Sequence, residues 1–233
     1  VKIAAVAICY KEQRFIPKYI QAMQDRVDEI VVLNSLVPWQ GEVETLDNTA
    51  AIAESLGATV ISYDWATEQD QRNAGQEYLA DYDWIIVMDP DEFMLEEDWF
   101  DFMHFLQDAD QDAYVCSEQF TYWKKGFVIH PPEDYKQIIA VRPNVRFIDK
   151  RVVDTAWGYA PVPLHHFSWA RTNEETLRKI SHYAHAHELD PRWYEDVWLS
   201  ERTTDLHPLS PSALKEAIRV VLPPELEKLE LWP

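Results

Sequence analysis

The sequence predicts an α/β fold, a mostly parallel sheet in the first half followed by a mixed half and C-terminal helices. Three observations lead there. Apolar runs of strand length recur without polar interruption, as in KIAAVAIC at 2–9 and WIIVM at 84–88, the pattern of strands covered on both faces. Helical patterns alternate with these runs through residue 88, which predicts right-handed βαβ units. The run ending at Met88 is followed at once by Asp89, Asp91 and Glu92, with Pro90 stopping the strand. In open α/β sheets ligands bind at the carboxyl ends of strands.

Taken in order, 2–9 reads as the first strand and 14–23 as a helix with Pro17 in its first turn. The second strand is 29–33, followed by an amphipathic helix over 45–56 that Gly57 closes in the left-handed region. A short strand at 59–63, a helix at 68–80 and the strand at 84–88 complete the alternation. A helix over 98–107 carries Trp99, Phe102, Met103 and Leu106 on one face. The pattern then changes: 113–123, 137–142, 145–148 and 164–169 read as strands, the first two joined by a Pro131-Pro132 turn. Thr172 and Glu175 make a capping box opening a helix to about residue 188, and a last helix is predicted over 210–222, with Pro211 at its start and Pro223-Pro224 at its end. A single domain over 1–233 is expected, its halves 1–110 and 111–233.

Composition narrows the class. With 233 residues, 47% hydrophobic, the chain can bury a full core. Its 21 Lys and Arg against 41 Asp and Glu give a formal charge of −20, which opposes non-specific binding to nucleic acid or anionic membrane. Cys9 and Cys116 are too few for a disulfide framework or zinc site. No long apolar run suggests a transmembrane segment, and residues 1–8 are too short for a signal peptide, so a soluble cytoplasmic protein is expected. With five Gly in all, the chain has neither the glycine-rich dinucleotide fingerprint nor a P-loop.

Clustered carboxylates repel unless a cation sits among them, and hard oxygen ligands favour Mg²⁺ or Mn²⁺. The acids at 89–92 therefore point to a divalent ion at the sheet edge, holding a phosphate. On repulsion alone, Asp91→Ala would leave the fold intact.

The segment Ile8-Cys9-Tyr10-Lys11-Glu12-Gln13-Arg14-Phe15-Ile16 resembles the first strand and turn of family 2 glycosyltransferases. Arg72-Asn73-Ala74-Gly75 followed by Asp89-Pro90-Asp91-Glu92 resembles their second block and Asp-x-Asp (DXD) motif, and residues 164–171 resemble the carboxyl-terminal part of bacterial and phage members. The resemblance covers roughly residues 2–190. It implies a GT-A fold, with a Rossmann-like nucleotide-binding half and a variable acceptor-binding half. It also implies inverting, metal-dependent transfer of a sugar, hexosyl in type, from a nucleotide-sugar, usually UDP-linked.

By this resemblance Asp91 ligates Mn²⁺ or Mg²⁺ and Asp89 meets the ribose or a metal-bound water. Cys9, Tyr10, Glu12 and Pro90 belong to the nucleotide-sugar site, with Asn34 standing where relatives carry an acid. Arg72 neutralises the diphosphate or braces Asp89. A histidine from the second half completes the metal site. Neighbours on a strand face opposite ways, so His166 is favoured and His165 is the alternative. His182, His185 and His187 read instead as a solvated face. A general base must take the acceptor proton; Glu118 and Asp154 are the leading candidates, with Asp149 a third. Trp123, Trp157 and Trp169 are candidates for an acceptor platform. The acceptor is a hydroxyl of a glycan, a lipid carrier, a protein or a hydroxymethylated base of phage DNA. A nucleotidyltransferase is the competing enzyme, although the first turn lacks its glycines, and an inactive nucleotide-binding module is the third alternative.

Overall fold

In the computed structural model, which describes every residue except Ser210, the first half alternates as its apolar runs require. It contains β1 (Ile3–Cys9), α1 (Ile16–Met23), β2 (Glu29–Ser35), α2 (Thr49–Ser55), β3 (Thr59–Tyr63), α3 (Glu68–Tyr78) and β4 (Trp84–Ile86). β1 is buried along its whole length and pairs in parallel with both β2 and β4, while β2 pairs in parallel with β3. Gly57, with φ of 87°, ends α2 in the region where a Cβ would be strained. Gly75 matters for another reason. A Cβ there would lie 2.9 Å from Val6 Cγ2, so its bareness lets α3 settle on β1.

The chain continues through β5 (Glu92–Phe93), α4 (Glu96–Phe105), β6 (Ala113–Val115), β7 (Gln119–Trp123), β8 (Phe127–His130), β9 (Ile138–Val141), β10 (Phe147–Asp149), β11 (Val152–Val153), β12 (Gly158–Tyr159) and β13 (Leu164–Trp169). α5 (Asn173–His182), β14 (Glu216–Arg219) and α6 (Pro224–Lys228) follow. Three strands of the second half extend the first sheet, giving the order β12-β6-β9-β4-β1-β2-β3. A second sheet has the order β14-β8-β7-β13-β5, and β10 pairs with β11 in a hairpin. The α/β class with a mostly parallel sheet is therefore the one expected. The stretch between β4 and β5, which contains Asp89 and Asp91, passes from the first sheet to the second.

The first sheet is sandwiched. Tyr19, Met23, Trp84, Trp99 and Phe102 fill one face, and Leu33, Leu79, Ile85 and Val141 the other. Beside the second sheet, Trp123, Trp169, Trp193 and Trp198 pack together with Leu206.

Several boundaries differ from expectation. Residues 113–123 are two strands in different sheets, because the chain leaves β6 at Cys116 and enters β7 at Gln119. β8 occupies the place where only a proline turn was expected. α5 opens with the predicted capping box, but it stops at His182 and gives way to a short 3₁₀ turn at Ala186–Glu188. No helix spans 210–222. Its predicted first residue, Ser210, lies outside the described residues, and Glu216–Arg219 is a strand antiparallel to β8. Tertiary pairing there overrides a helical pattern. Among the described residues no helix is long and apolar enough to cross a membrane.

Candidate active site

The carboxyl ends of β1 and β4 open into a cleft of about 690 Å³, closed on its far side by β7, β13 and α5. Lys11, Arg72, Lys150, Arg151, Arg171, Arg178, Lys179 and Lys215 line it. Eight of the chain's 21 cations thus gather here, against eight of its 41 acids. On a chain of charge −20, this balance means that an anionic ligand meets less repulsion here than the net charge alone would suggest.

The acidic loop divides its labour. Asp89 receives both hydrogen bonds of Arg72 Nη2, at 3.0 and 3.1 Å, and its backbone N–H donates to Glu92 Oε2 at 2.9 Å. Glu92 is fully buried and takes the fork of Arg151 at 2.7 and 2.9 Å, while Arg151 also donates to the Val87 carbonyl at 2.7 Å. Burial alone would disfavour the Arg151 charge, but Glu92 and Asp89 secure it. These pairs fix the loop's shape, and Asp89 is turned toward arginines.

Asp91 faces the other way. Its Oδ2 accepts from Arg171 at 2.8 Å and Lys179 at 3.2 Å, and its Oδ1 lies 3.5 Å from His166 Nε2. Burial would raise the Asp91 carboxyl, yet Lys179, His166 and Arg171 hold it well below the usual carboxylate range. Arg171 also bridges to Glu12, at 3.2 Å from each oxygen. Burial pushes the Glu12 carboxyl up, against the pull of Arg171.

Asp91 Oδ1 and His166 Nε2 are close enough to share one ion, and carboxylate with imidazole suits Mn²⁺. His166 Nδ1 lies 3.2 Å from Gln119 Nε2, while Gln119 Oε1 is buried without a partner. A half-turn of that amide would let Oε1 accept from Nδ1–H and free the Nε2 lone pair, the outer support that metal-bound imidazoles use. Among the described residues no group of three His, Cys, Asp or Glu converges on a metal position. Asp91 and His166 are the two residues that would hold a divalent ion here.

Of the other residues singled out in the sequence, Tyr10, Glu12, Arg72, Pro90 and Trp169 line the cleft. Tyr10 Oη accepts from the Glu44 N–H at 3.1 Å. Cys9 and Asn34 are buried away from it, and Asn34 donates to Ser62 Oγ at 3.3 Å. His165 faces the opposite side of β13, where its Nδ1 meets Tyr122 Oη at 2.8 Å and burial lowers its pKa to about 4. That leaves His166 as the histidine beside Asp91.

Glu118 and Asp154 are both exposed and outside the cleft; Asp154 Oδ1 is taken by the Arg146 N–H at 3.0 Å. Glu118 is exposed because it lies between β6 and β7, in the link that crosses between sheets. Trp123 is buried in the tryptophan cluster, and Trp157 is exposed against Tyr159. His182 is buried and lines the cleft, edge-on to Tyr10, rather than forming part of a solvated face. Sequence reading missed Arg171, Lys179 and Arg178. The available signal was the spacing of Glu175, Arg178, Lys179 and His182, one face of a helix.

This is an α/β protein with a cleft at its strand ends in which acids and cations are matched in number. No protein-family model matches the chain. It is 33% identical over 115 residues to a Rickettsia felis protein described as an uncharacterized glycosyltransferase, covering 49% of this chain and 38% of that one. It is 28% identical over 148 residues to a TPR repeat-containing protein of Synechococcus elongatus, covering 62% of this chain and 34% of the other. The chain thus spans well under half the length of these two curated relatives. Among solved structures, S. aureus TarS 1–349 in complex with UDP-GlcNAc aligns over 52% of this chain and 35% of that chain. The identity is 15% and the TM-score 0.42, too slight a likeness to argue from.

Proposed function

We propose that this chain is a glycosyltransferase domain that moves a sugar from a nucleotide-sugar, UDP-linked, to a hydroxyl acceptor with inversion at the anomeric carbon. The observation that carries this reading is the meeting of Asp91, His166, Arg171 and Lys179 where the β4 loop crosses to the second sheet. In this reading Tyr10 and Glu12, which line the cleft in the turn after β1, receive the nucleoside, and the diphosphate lies toward Asp91 and α5. A divalent ion held by Asp91 and His166 would supply Lewis-acid neutralisation of the departing diphosphate. Arg72 and Arg151 hold Asp89 and Glu92, keeping the loop in one geometry before the ligand arrives. Among the acids on the acceptor side of the cleft, Glu133, Asp134 and Asp149 line it, and the base that takes the acceptor proton is to be sought there. Trp169 backs the cleft wall from within the tryptophan cluster and, like Trp123, has no exposed face for an acceptor.

Calorimetric titration with UDP, with and without Mn²⁺, tests the reading. Binding that Mn²⁺ strengthens is the expected result. Failure of UDP, GDP, ADP, CDP and dTDP to bind under either condition removes it.

A further inference from the structure

α5 presents Glu175, Arg178, Lys179 and His182 to the cleft, the i, i+3, i+4, i+7 stripe of a single helical face. Three of the four have partners. Glu175 accepts from Arg14 Nε at 2.7 Å, Lys179 holds Asp91 and Ser168, and His182 lies 3.6 Å from Glu44. Arg178 is different: half-buried on the cleft wall, it makes no hydrogen bond or ion pair among the described residues, and its charge acts on Glu44 at longer range.

A guanidinium on a cleft wall that holds no counter-ion among the described residues keeps its donors available to an arriving anion. Its planar fork matches phosphate oxygens better than any neutral group. The neighbouring Lys179 has three donors and already meets Asp91 Oδ2 and Ser168 Oγ at the inner end of the same wall. Arg171 and Lys179 together balance Asp91 and Glu12, so Arg178 brings the charge on this wall that no acid already holds among the described residues.

We infer that the cleft face of α5 is a phosphate grip, in which Arg178 and Lys179 bind the diphosphate of the donor through side-chain charge and do so without requiring a divalent ion. This rests on the reading of the cleft as a nucleotide-sugar site. Lys179 closes on the phosphate nearer Asp91, and Arg178, one residue earlier on the same face, takes the next.

The test is calorimetry on the whole chain in EDTA with UDP and with uridine as ligands, comparing wild type with Arg178→Gln. Arg178→Gln breaks no hydrogen bond or ion pair among the described residues, whereas Lys179→Met exposes Asp91 to loss of a partner and serves only as a companion with its thermal midpoint recorded. The expected result is that wild type binds UDP in EDTA more tightly than uridine. Arg178→Gln should then weaken UDP by about tenfold or more and leave uridine unchanged. Wild-type affinity in EDTA no greater for UDP than for uridine overturns the inference, as does an Arg178→Gln affinity within about twofold of wild type. Either result leaves the donor-site reading standing if UDP binds with Mn²⁺. Absence of any nucleoside diphosphate binding in either condition removes both.

Discussion

Asp91 is a buried acid held between two cations, and its removal has a thermodynamic consequence besides a catalytic one. In Asp91→Ala, Arg171 keeps Glu12 as a partner but Lys179 keeps only Ser168, so a buried charge loses its counter-ion. Breaking a buried pair costs on the order of 3–5 kcal/mol, so urea unfolding should show a lower midpoint for Asp91→Ala, not the neutral outcome that mutual carboxylate repulsion suggests. Asp91→Asn, which keeps the shape and one acceptor, should lose less. At this scale the sequence made Asp89, Asp91, Arg72 and His166 visible, because acids bunched after an apolar strand and a basic residue on the preceding helix are local patterns. Arg171 and Lys179 were not visible as partners of Asp91, since 80 and 88 residues separate them from it. Glu118 and Asp154 were misjudged for a related reason: whether an acid near a strand end faces a cleft depends on which sheet the strand joins.

Among the elements, α5 does the most for the site, and its start is well defined. Thr172 Oγ1 accepts from the Glu175 N–H at 3.2 Å, and Glu175 Oε2 accepts from the Thr172 N–H at 2.9 Å. Thr172→Ala should therefore cost about 0.5–2 kcal/mol and, by loosening the first turn that carries Glu175, weaken UDP as well. Thermal melts and UDP titration on the same preparation would check both. α3 gives a second expectation. Gly75→Ala gains helix propensity, yet its Cβ would lie 2.9 Å from Val6 Cγ2 and 3.2 Å from Leu33 Cδ1. Overpacking of about 1–3 kcal/mol should outweigh the gain and lower the melting temperature. The βα alternation through residue 88 could be read because each unit is built from neighbours in sequence. The segment 113–123 and the false helix at 210–222 could not, because β7 finds β13 and β14 finds β8 only after the chain has folded back.

For the whole molecule, charge is the governing quantity. A chain at −20 that spends eight of its cations inside one cleft leaves a strongly acidic exterior. Duplex DNA should therefore not be retarded by the protein in a low-salt gel, and a retarded band would reopen the option of a nucleic-acid acceptor. The net sign was plain from composition, but the inward collection of the cations was not, since it depends on which faces the two halves turn toward each other. The passage of the acidic loop between the sheets has one more consequence. Asp89 is moored to Arg72 on a helix of the first sheet, and Asp91 is moored to α5 and lies beside β13 of the second. The loop is therefore a tie between two plates, and the spacing of its acids is set by how the sheets are stacked as well as by the loop's own backbone.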